Sequence, residues 1–584
     1  MRAQILTKIP SLVYDYLHDH DTLESQGAFY FASFGTVPYQ IQFLLIFSGP
    51  SNLFLSRDQD RWVYRGYECI ISAAETVYSK SEYPMDYCYA HDDVDSAVDA
   101  YAVCIPTPCE ENHVDLLKEW RLMVKPQESK QPMDFTSCIR SRHEKQWFEQ
   151  FVPVADLAFN LALVLVVTMA TILHNMRGDN AKSDLVGILL AFSVKKNLRR
   201  LVQLPKDPQS CITCMFGMRF LSMVWTLVGH SFIFVQAYLE NVDDFKDALA
   251  NNFWNQWITN FTLSVDTFLV LGGTVLSYSW FRKWMKNTSE EEPSWTSYGY
   301  WLRFYRHRVV RLWPAYLYTL MAVTLRISVT HFHPMWPPTD PAIQCPKHWF
   351  ENVFFINSLF NNRCMPWTWY IGTEFLFFLI SPIFLLTLHQ SPKIGAMLSL
   401  FTILASAGLN TIKMVDENFP PTQFLWKQPE IFNPNFIQHH IELYIKPQYR
   451  IGPYIIGLLL GYYLANYQRQ AVKKIRNKVT STTIQLLTSI ECVYSAVGWL
   501  ICFLCGFWSL FGLYPSLQGW NWPIYHLVYG TIHRDVFALS MAWIIYACHT
   551  GIGGLINRLL SATVLLPLSN LCFSVRFLLS EITK

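Results

Sequence analysis

The sequence predicts an all-α polytopic membrane protein of about nine or ten transmembrane helices, with an N-terminal extracytosolic, disulfide-rich domain. Three observations predict it. Of 584 residues, 51% are hydrophobic and only 15% charged, against about 25% charged in a soluble chain. Several apolar runs reach the roughly 18 residues that a membrane helix needs. Five cysteines, Cys69, Cys88, Cys104, Cys109 and Cys138, precede the first of those runs in a polar stretch. That clustering points to disulfides in an oxidising compartment. Its spacing matches no zinc site, so no metal is expected. The net charge of +2 gives no sign of a nucleic-acid partner.

Residues 1–150 form the cysteine-rich domain. The only early apolar run, Ile41 to Phe47, is too short and too late for a signal peptide, so an incomplete or unusual start is expected. The Cys104/Cys109 loop holds Pro106 and Pro108, a tight stapled turn, and His113 to Met123 has a helical pattern. Residues 151–215 carry the first membrane helix, Phe151 to Leu173, and a linker with Arg177, Lys182, Lys195, Lys196, Arg199, Arg200 and Lys206. So many cations place the linker in the cytosol. The first 150 residues then lie outside, as their cysteines also require.

Residues 216–580 hold the remaining helices. The second, about Arg219–Leu239, runs outward into an acidic loop, and the third, about Trp257–Trp280, runs back. Asn260-Phe261-Thr262 is a glycosylation sequon too close to the membrane to be used, and Asn287-Thr288-Ser289 is another on the cytosolic side. The fourth helix is expected at about Leu312–Val329 and the fifth at about Trp367–Leu388. Cys345 and Cys364 share the outer loop between them, which favours a disulfide. A sixth helix includes Leu398–Leu409. Residues 412–450 read as a long, proline-bearing outer loop. The seventh helix follows Tyr449, and its Gly457 and Gly461 form a small-xxx-small pair for close packing. Helices near 484–512 and 535–550 follow, with 559–580 ambiguous.

Ionisable residues at membrane depth are costly and mark function by default. Arg219 and His230 stand eleven residues apart, about three turns, with Ser222 and Thr226 on the same stripe. A polar line of about 16 Å therefore ends on a histidine near the midplane. Asp266, on the next antiparallel helix, is placed to meet His230 and raise its basicity, as general-base catalysis uses. A structural His–Asp bond tying two helices explains the same pair. Glu374 is the third such group, although a wet outer cavity would also suit it. The stretch Tyr300 to Tyr316 holds Arg303, Arg306, His307, Arg308 and Arg311 among Trp301, Phe304, Tyr305 and Trp313. Positive-inside flanking explains some of this. The choice of arginine over lysine favours phosphate recognition. A proton-relay transporter would want the same buried charges.

Three phrases together resemble the acyltransferase 3 family of membrane O-acyltransferases. They are Gly217-x-Arg219-x-x-Ser222-x-x-Trp225-x-x-x-Gly229-His230, then Ser264-Val265-Asp266-Thr267-Phe268, then Arg308-x-x-Arg311-Leu312-x-Pro314-x-Tyr316. Gly66-Tyr67-Glu68-Cys69, Tyr101 to Cys109, Trp367 to Tyr370, Lys446 to Tyr454 and Ala542 to Cys548 resemble the animal branch named for the nose resistant to fluoxetine proteins. That branch joins an extracytosolic cysteine-rich domain to the acyltransferase helices. The sequence departs from it in lacking an early cysteine, in Glu374 where Asp is commoner, and in Leu376 where Gln is usual. The family also continues past the phrase Pro567-Leu568-Ser569, so a truncated C-terminus with impaired activity is expected.

The resemblance implies acyl transfer from acyl-CoA to a hydroxyl of a membrane lipid or a glycan. Arg308 and Arg311, with Arg219, would hold the donor's phosphates from the cytosol. His230 would serve as base or transient acyl carrier, oriented by Asp266. The competing expectation is a lipid or small-hydrophobe transporter that keeps the fold without the chemistry. The membrane would be the plasma membrane or the endoplasmic reticulum.

Overall fold

The computed structural model describes residues 49–52, 85–91, 99–106, 114–115, 118, 135–140, 151–178, 184–203, 211–239, 241–286, 293–327, 340–361, 364–427, 429, 431–433, 435–476 and 481–572. The chain divides into two compact units.

The first unit contains Met1–Gln150 with Val235–Asp243 and Ile327–Thr339. Most of what is described of residues 1–150 is a sheet, which the helical expectation did not foresee. Strands β1 (Gly49–Asn52), β2 (Met85–His91), β3 (Asp99–Pro106) and β4 (Phe135–Arg140) lie in the order β1-β3-β2-β4, every neighbour antiparallel. Cys88 and Cys138 face each other directly in that register and are joined by a disulfide. Tyr87 and Cys88 are buried. The crosslink fixes the register of β2 against β4. Cys104 lies in β3, while Cys69 and Cys109 fall outside the described residues. Residues 114, 115 and 118, inside the expected helix at 113–123, are helical.

The second unit is helical. Its longer elements are α1 (Phe151–Arg177), α2 (Asp184–Ala191), α3 (Val194–Val202), α4 (Met215–Phe234), α5 (Val242–Asn251), α6 (Leu263–Lys286), α7 (Tyr298–Ile327), α8 (Asp340–Val353), α9 (Trp369–Gln390), α10 (Pro392–Asp416), α11 (Ile451–Arg476), α12 (Ser481–Phe511) and α13 (Pro523–Thr550). Among the described residues four helices are long and apolar enough to cross a membrane, or six if two bent pairs each count as a span. The chain is a multipass membrane protein. α4, α7 and α11 fall short on composition alone, because they carry the polar, charged and aromatic residues around which the unit is built.

α6 and α11 are the packed centre. A side chain at Gly457 would strike the Val270 carbonyl, and one at Gly461 would strike the Thr274 carbonyl. Gly273 answers from α6 against the Tyr454 carbonyl. Small residues on both faces bring the two backbones into contact, as the Gly457/Gly461 spacing predicts. The sulfurs of Cys345 and Cys364 are bonded, tying α8 to the start of α9.

Three elements differ from expectation. The arginine-rich stretch does not lead into a helix but lies within one, since α7 runs unbroken for 30 residues from Tyr298. The third helix is broken: a short piece at 253–259 meets α6 at a 53° bend. Its sequon residue Asn260 is buried and donates to the Leu510 carbonyl at 2.6 Å. Residues 412–450 are not a plain loop. α10 extends to Asp416, and Phe436–His439 is helical. A π-helical turn follows at His440–Tyr444 and a 3-10 turn at Pro447–Tyr449. Lys413 binds Glu442 at 2.6 Å and Glu417 at 2.9 Å, fastening this segment to the end of α10.

Candidate functional site: a cationic cavity and a buried histidine

A cavity of about 1210 Å³ opens among α4, α6, α7 and α9. α7 turns one face to it: Tyr300, Arg303, Phe304, His307, Arg308 and Arg311 recur every three or four residues, as one helix face requires. Arg219 enters from α4, Lys283 from α6 and Glu374 from α9. Five full cations thus share a lining that contains one carboxylate. Arg308 binds Glu374, and its guanidinium lies over the Phe378 ring at 4.5 Å. Glu374 and Phe378 are four residues apart on α9, so both reach the same arginine. Arg219 lies close enough to Arg311 and Glu374 to interact with both charges. The structure therefore brings together Arg219, Arg308, Arg311 and Glu374 in one cavity.

The lining changes character along its length. Trp284 and Tyr300 stand with ring centroids 5.8 Å apart, and the Lys283 ammonium lies over both. The arginines come next. Met223, Phe268 and Tyr370 close the other end, with Phe268 and Tyr370 edge to face at 6.4 Å. From Trp284 to Phe268 along α6 is about 24 Å.

His230 is not in the lining of that cavity. It lies further along α4 from Arg219, by about 16 Å. The second helix ends at Phe234, where the chain tightens into a 3-10 turn at Val235–Tyr238. His230 therefore sits about one turn from the helix end rather than at its middle. Its Nδ1 meets the Thr226 carbonyl at 2.8 Å. A carbonyl only accepts, so Nδ1 carries the proton, and the neutral ring has its lone pair on Nε2. Phe261 packs edge-on against the imidazole at 5.0 Å. Gly229 makes that approach possible, because any side chain there would occupy the Phe261 ring.

The expected His230–Asp266 hydrogen bond is not formed. Asp266 is in the first turn of α6 and bonds Arg450 at 3.3 Å, with both side chains 1% exposed. α4 and α6 are instead tied one turn away, where the Thr226 and Ser264 hydroxyls meet at 2.7 Å. The reason is electrostatic. A buried carboxylate gains more from a full positive charge than from a neutral imidazole, and Arg450 provides one. Arg450 also donates Nε–H to the Tyr444 carbonyl at 2.7 Å and lies over the Tyr444 and Trp369 rings at 4.1 and 5.0 Å.

Sequence reasoning missed Arg450, Arg534, His439, Lys283 and the Trp284/Tyr300 pair. Arg534 carried a legible signal, the ionisable run His533-Arg534-Asp535 at the start of the apolar stretch expected to be a helix at 535–550. Arg450 and His439 carried none, because their segment read as a loop.

A family profile described as an acyltransferase domain, of the acyltransferase 3 type, matches residues 213–575. The chain belongs to the acyltransferase 3 family. Membership supports a membrane acyltransferase in general. The chain is similar to Nose resistant to fluoxetine protein 6 of Caenorhabditis elegans, 25% identical over 501 residues, covering 81% of this chain and 59% of that one. It therefore spans about three fifths of that relative's length. It is also similar to Regulator of hypoxia-inducible factor 1 of the same organism, 24% identical over 65% of this chain and 72% of that one. No solved structure matches. The matched region includes the whole cavity, His230 and Asp266.

Proposed function

We propose that the chain transfers an acyl group from acyl-CoA to a hydroxyl of a lipid or glycan. The graded lining carries this reading. Aromatic rings suit a nucleoside base, five cations suit its phosphates, and an apolar end suits the pantetheine arm. The distance from Arg219 to His230, about 16 Å, is comparable to an extended pantetheine arm. Met223, at the apolar end, is seven residues or about 10 Å along α4 from His230, so the thioester must pass Met223 and Phe268 to meet the imidazole.

The chemistry follows from the tautomer. Nε2 of His230 accepts the proton of the incoming hydroxyl as its oxygen bonds the thioester carbonyl carbon. The C–S bond then breaks, and the thiolate leaves with that proton. Asp266 does not orient the ring by direct contact, so that task falls to the Thr226 carbonyl. Glu374 and Phe378 fix Arg308 for a phosphate.

The test is CoA binding to purified protein in lipid nanodiscs, before and after Arg311→Ala. The reading expects binding that weakens with salt and falls at least tenfold in the variant. Equal affinity in both proteins would sink the phosphate assignment. Acyl-independent uptake of a lipid probe, with no CoA binding at all, would favour a transporter.

A further inference from the structure

The linker between α1 and α4 carries a helix that contributes no residue to the lining of the cationic cavity. α3 (Val194–Val202) buries none of its residues. At about 100° per residue its side chains sort into two sectors. Val194, Leu198, Leu201 and Val202 share an apolar sector about 100° wide. Lys195, Lys196, Arg199 and Arg200 share the cationic sector beside it, and the helix holds no acidic residue. Val194, Leu198 and Val202 are 50%, 59% and 57% exposed. Three large apolar side chains in one exposed stripe are costly in water and mark a face that something apolar covers.

Hydrogen bonds fix the depth of α3. The N–H of Val194 donates to the Thr171 hydroxyl of α1 at 3.0 Å, and the Lys195 ammonium donates to the Asn175 side-chain oxygen at 2.8 Å. Thr171 and Asn175 stand shortly before the end of α1 at Arg177, about 9 and 3 Å from it along the helix. α1 is long and apolar enough to span a membrane, and only 11% of its most apolar stretch is buried in the protein, so lipid surrounds it. α3 therefore starts level with the last two turns of a lipid-facing span, which is headgroup depth. The positive-inside pattern assigns that end of α1 to the cytosol. Ser193 caps the start of α3, accepting from the Lys196 N–H. The far end is held as well, because the Asn570 side chain donates to the Leu201 carbonyl at 2.9 Å.

The two sectors specify what covers the helix. A soluble anion would pair with the cations and leave the apolar stripe in water. A neutral bilayer surface would cover the stripe and leave four cations without counter-charge. An anionic phospholipid satisfies both sectors. We propose that α3 is an interfacial helix that binds anionic phospholipid of the cytosolic leaflet. Its apolar stripe lies among the upper acyl chains, and its lysines and arginines meet the charged headgroups. The proposal does not rest on the acyl-CoA reading, and failure of CoA binding leaves it standing.

The experiment uses the full chain, freed of lipid in detergent, and reads added phosphatidylserine or phosphatidylcholine by native mass spectrometry. We expect phosphatidylserine to be held at least tenfold more tightly. Each Lys or Arg near an anionic surface strengthens attachment about fivefold. Arg199→Gln/Arg200→Gln, which keeps the Lys195–Asn175 bond, therefore lowers phosphatidylserine affinity at least tenfold and leaves phosphatidylcholine affinity unchanged. Hydrogen exchange in lipid nanodiscs then locates the lipid. Adding phosphatidylserine to phosphatidylcholine slows exchange of the peptide spanning 194–202 in the parent, and does so less in Leu198→Asn/Val202→Asn. Equal affinity of the parent for the two lipids overturns the proposal. So does unchanged phosphatidylserine affinity in an Arg199→Gln/Arg200→Gln protein that unfolds at the parent's temperature. Loss of the preference in Arg311→Ala, with α3 intact, would put the lipid in the cationic cavity and overturn it too. The exchange measurement on the parent needs no variant, and exchange at 194–202 that ignores phosphatidylserine is equally decisive against it.

Discussion

Asp266→Leu is the perturbation with the largest expected effect on stability. Asp266 and Arg450 are each 1% exposed and joined at 3.3 Å. Removing one partner of a buried pair costs about 3–5 kcal/mol, because the other charge is left uncompensated. Here the stranded group is Arg450, which keeps its bond to the Tyr444 carbonyl and its place over the Tyr444 and Trp369 rings. Those contacts retain part of its stabilisation, so the lower end, about 3 kcal/mol, is expected. Arg450→Met strands the carboxylate instead. One oxygen of Asp266 already lacks a partner, so the upper end, about 5 kcal/mol, is expected. The double variant Asp266→Leu/Arg450→Met leaves neither charge and should recover to within about 1–2 kcal/mol of the parent. The assay is denaturant unfolding in mixed micelles, followed by tryptophan fluorescence and analysed as a double-mutant cycle. A double variant as unstable as the sum of its singles would refute the reasoning. So would a single loss below about 1 kcal/mol, which is the scale of an exposed pair.

Gly457→Leu and Gly461→Leu should each destabilise the helical unit by about 1–3 kcal/mol or abolish folding, read in the same unfolding assay, because each side chain meets a carbonyl of α6. His439 supplies a pH dependence. Burial first, and then the charges of Arg534, His440 and Arg450, push it from an ordinary 6.5 down to about 3. The unfolded chain therefore binds the extra proton between those values, and stability falls as pH drops from about 6.5 toward 3. The difference in unfolding free energy between the parent and His439→Phe should shrink over that window and stay level above it; a difference that is flat with pH contradicts the assignment. Asn260 is buried and bonded to the Leu510 carbonyl. Glycosidase treatment should leave the mass of its peptide unchanged, and a glycan there would show that the entry to α6 is folded differently.

Legibility in the sequence followed the local nature of each signal. Gly457 and Gly461 announced a close helix contact by spacing alone, and the contact exists. Arg308 and Arg311 announced a cation site, and one helix face carries it, because helical periodicity is set by backbone geometry. Glu374 reached the same cavity for a tertiary reason that its own helix does not reveal. The pairing of Asp266 was misread for the same cause. Spacing can say that two helices are antiparallel neighbours, but not where each begins. A 3-10 turn after Phe234 and a bend before Leu263 moved His230 and Asp266 toward the helix ends. Arg450 then took the carboxylate from a stretch that seemed to be loop. The sheet of the first unit was hidden among short polar strands, whose pairing depends on register and the Cys88–Cys138 crosslink rather than on any long apolar pattern.

The most direct measurement is single-turnover acyl release from labelled acyl-CoA by the purified parent and by His230→Ala, with CoA affinity measured beside it. The account predicts a fall of about a hundredfold to ten-thousandfold in the variant, the range for losing a general base. CoA affinity should stay unchanged, since the cationic cavity is lined without His230. Equal rates in the two proteins would contradict it.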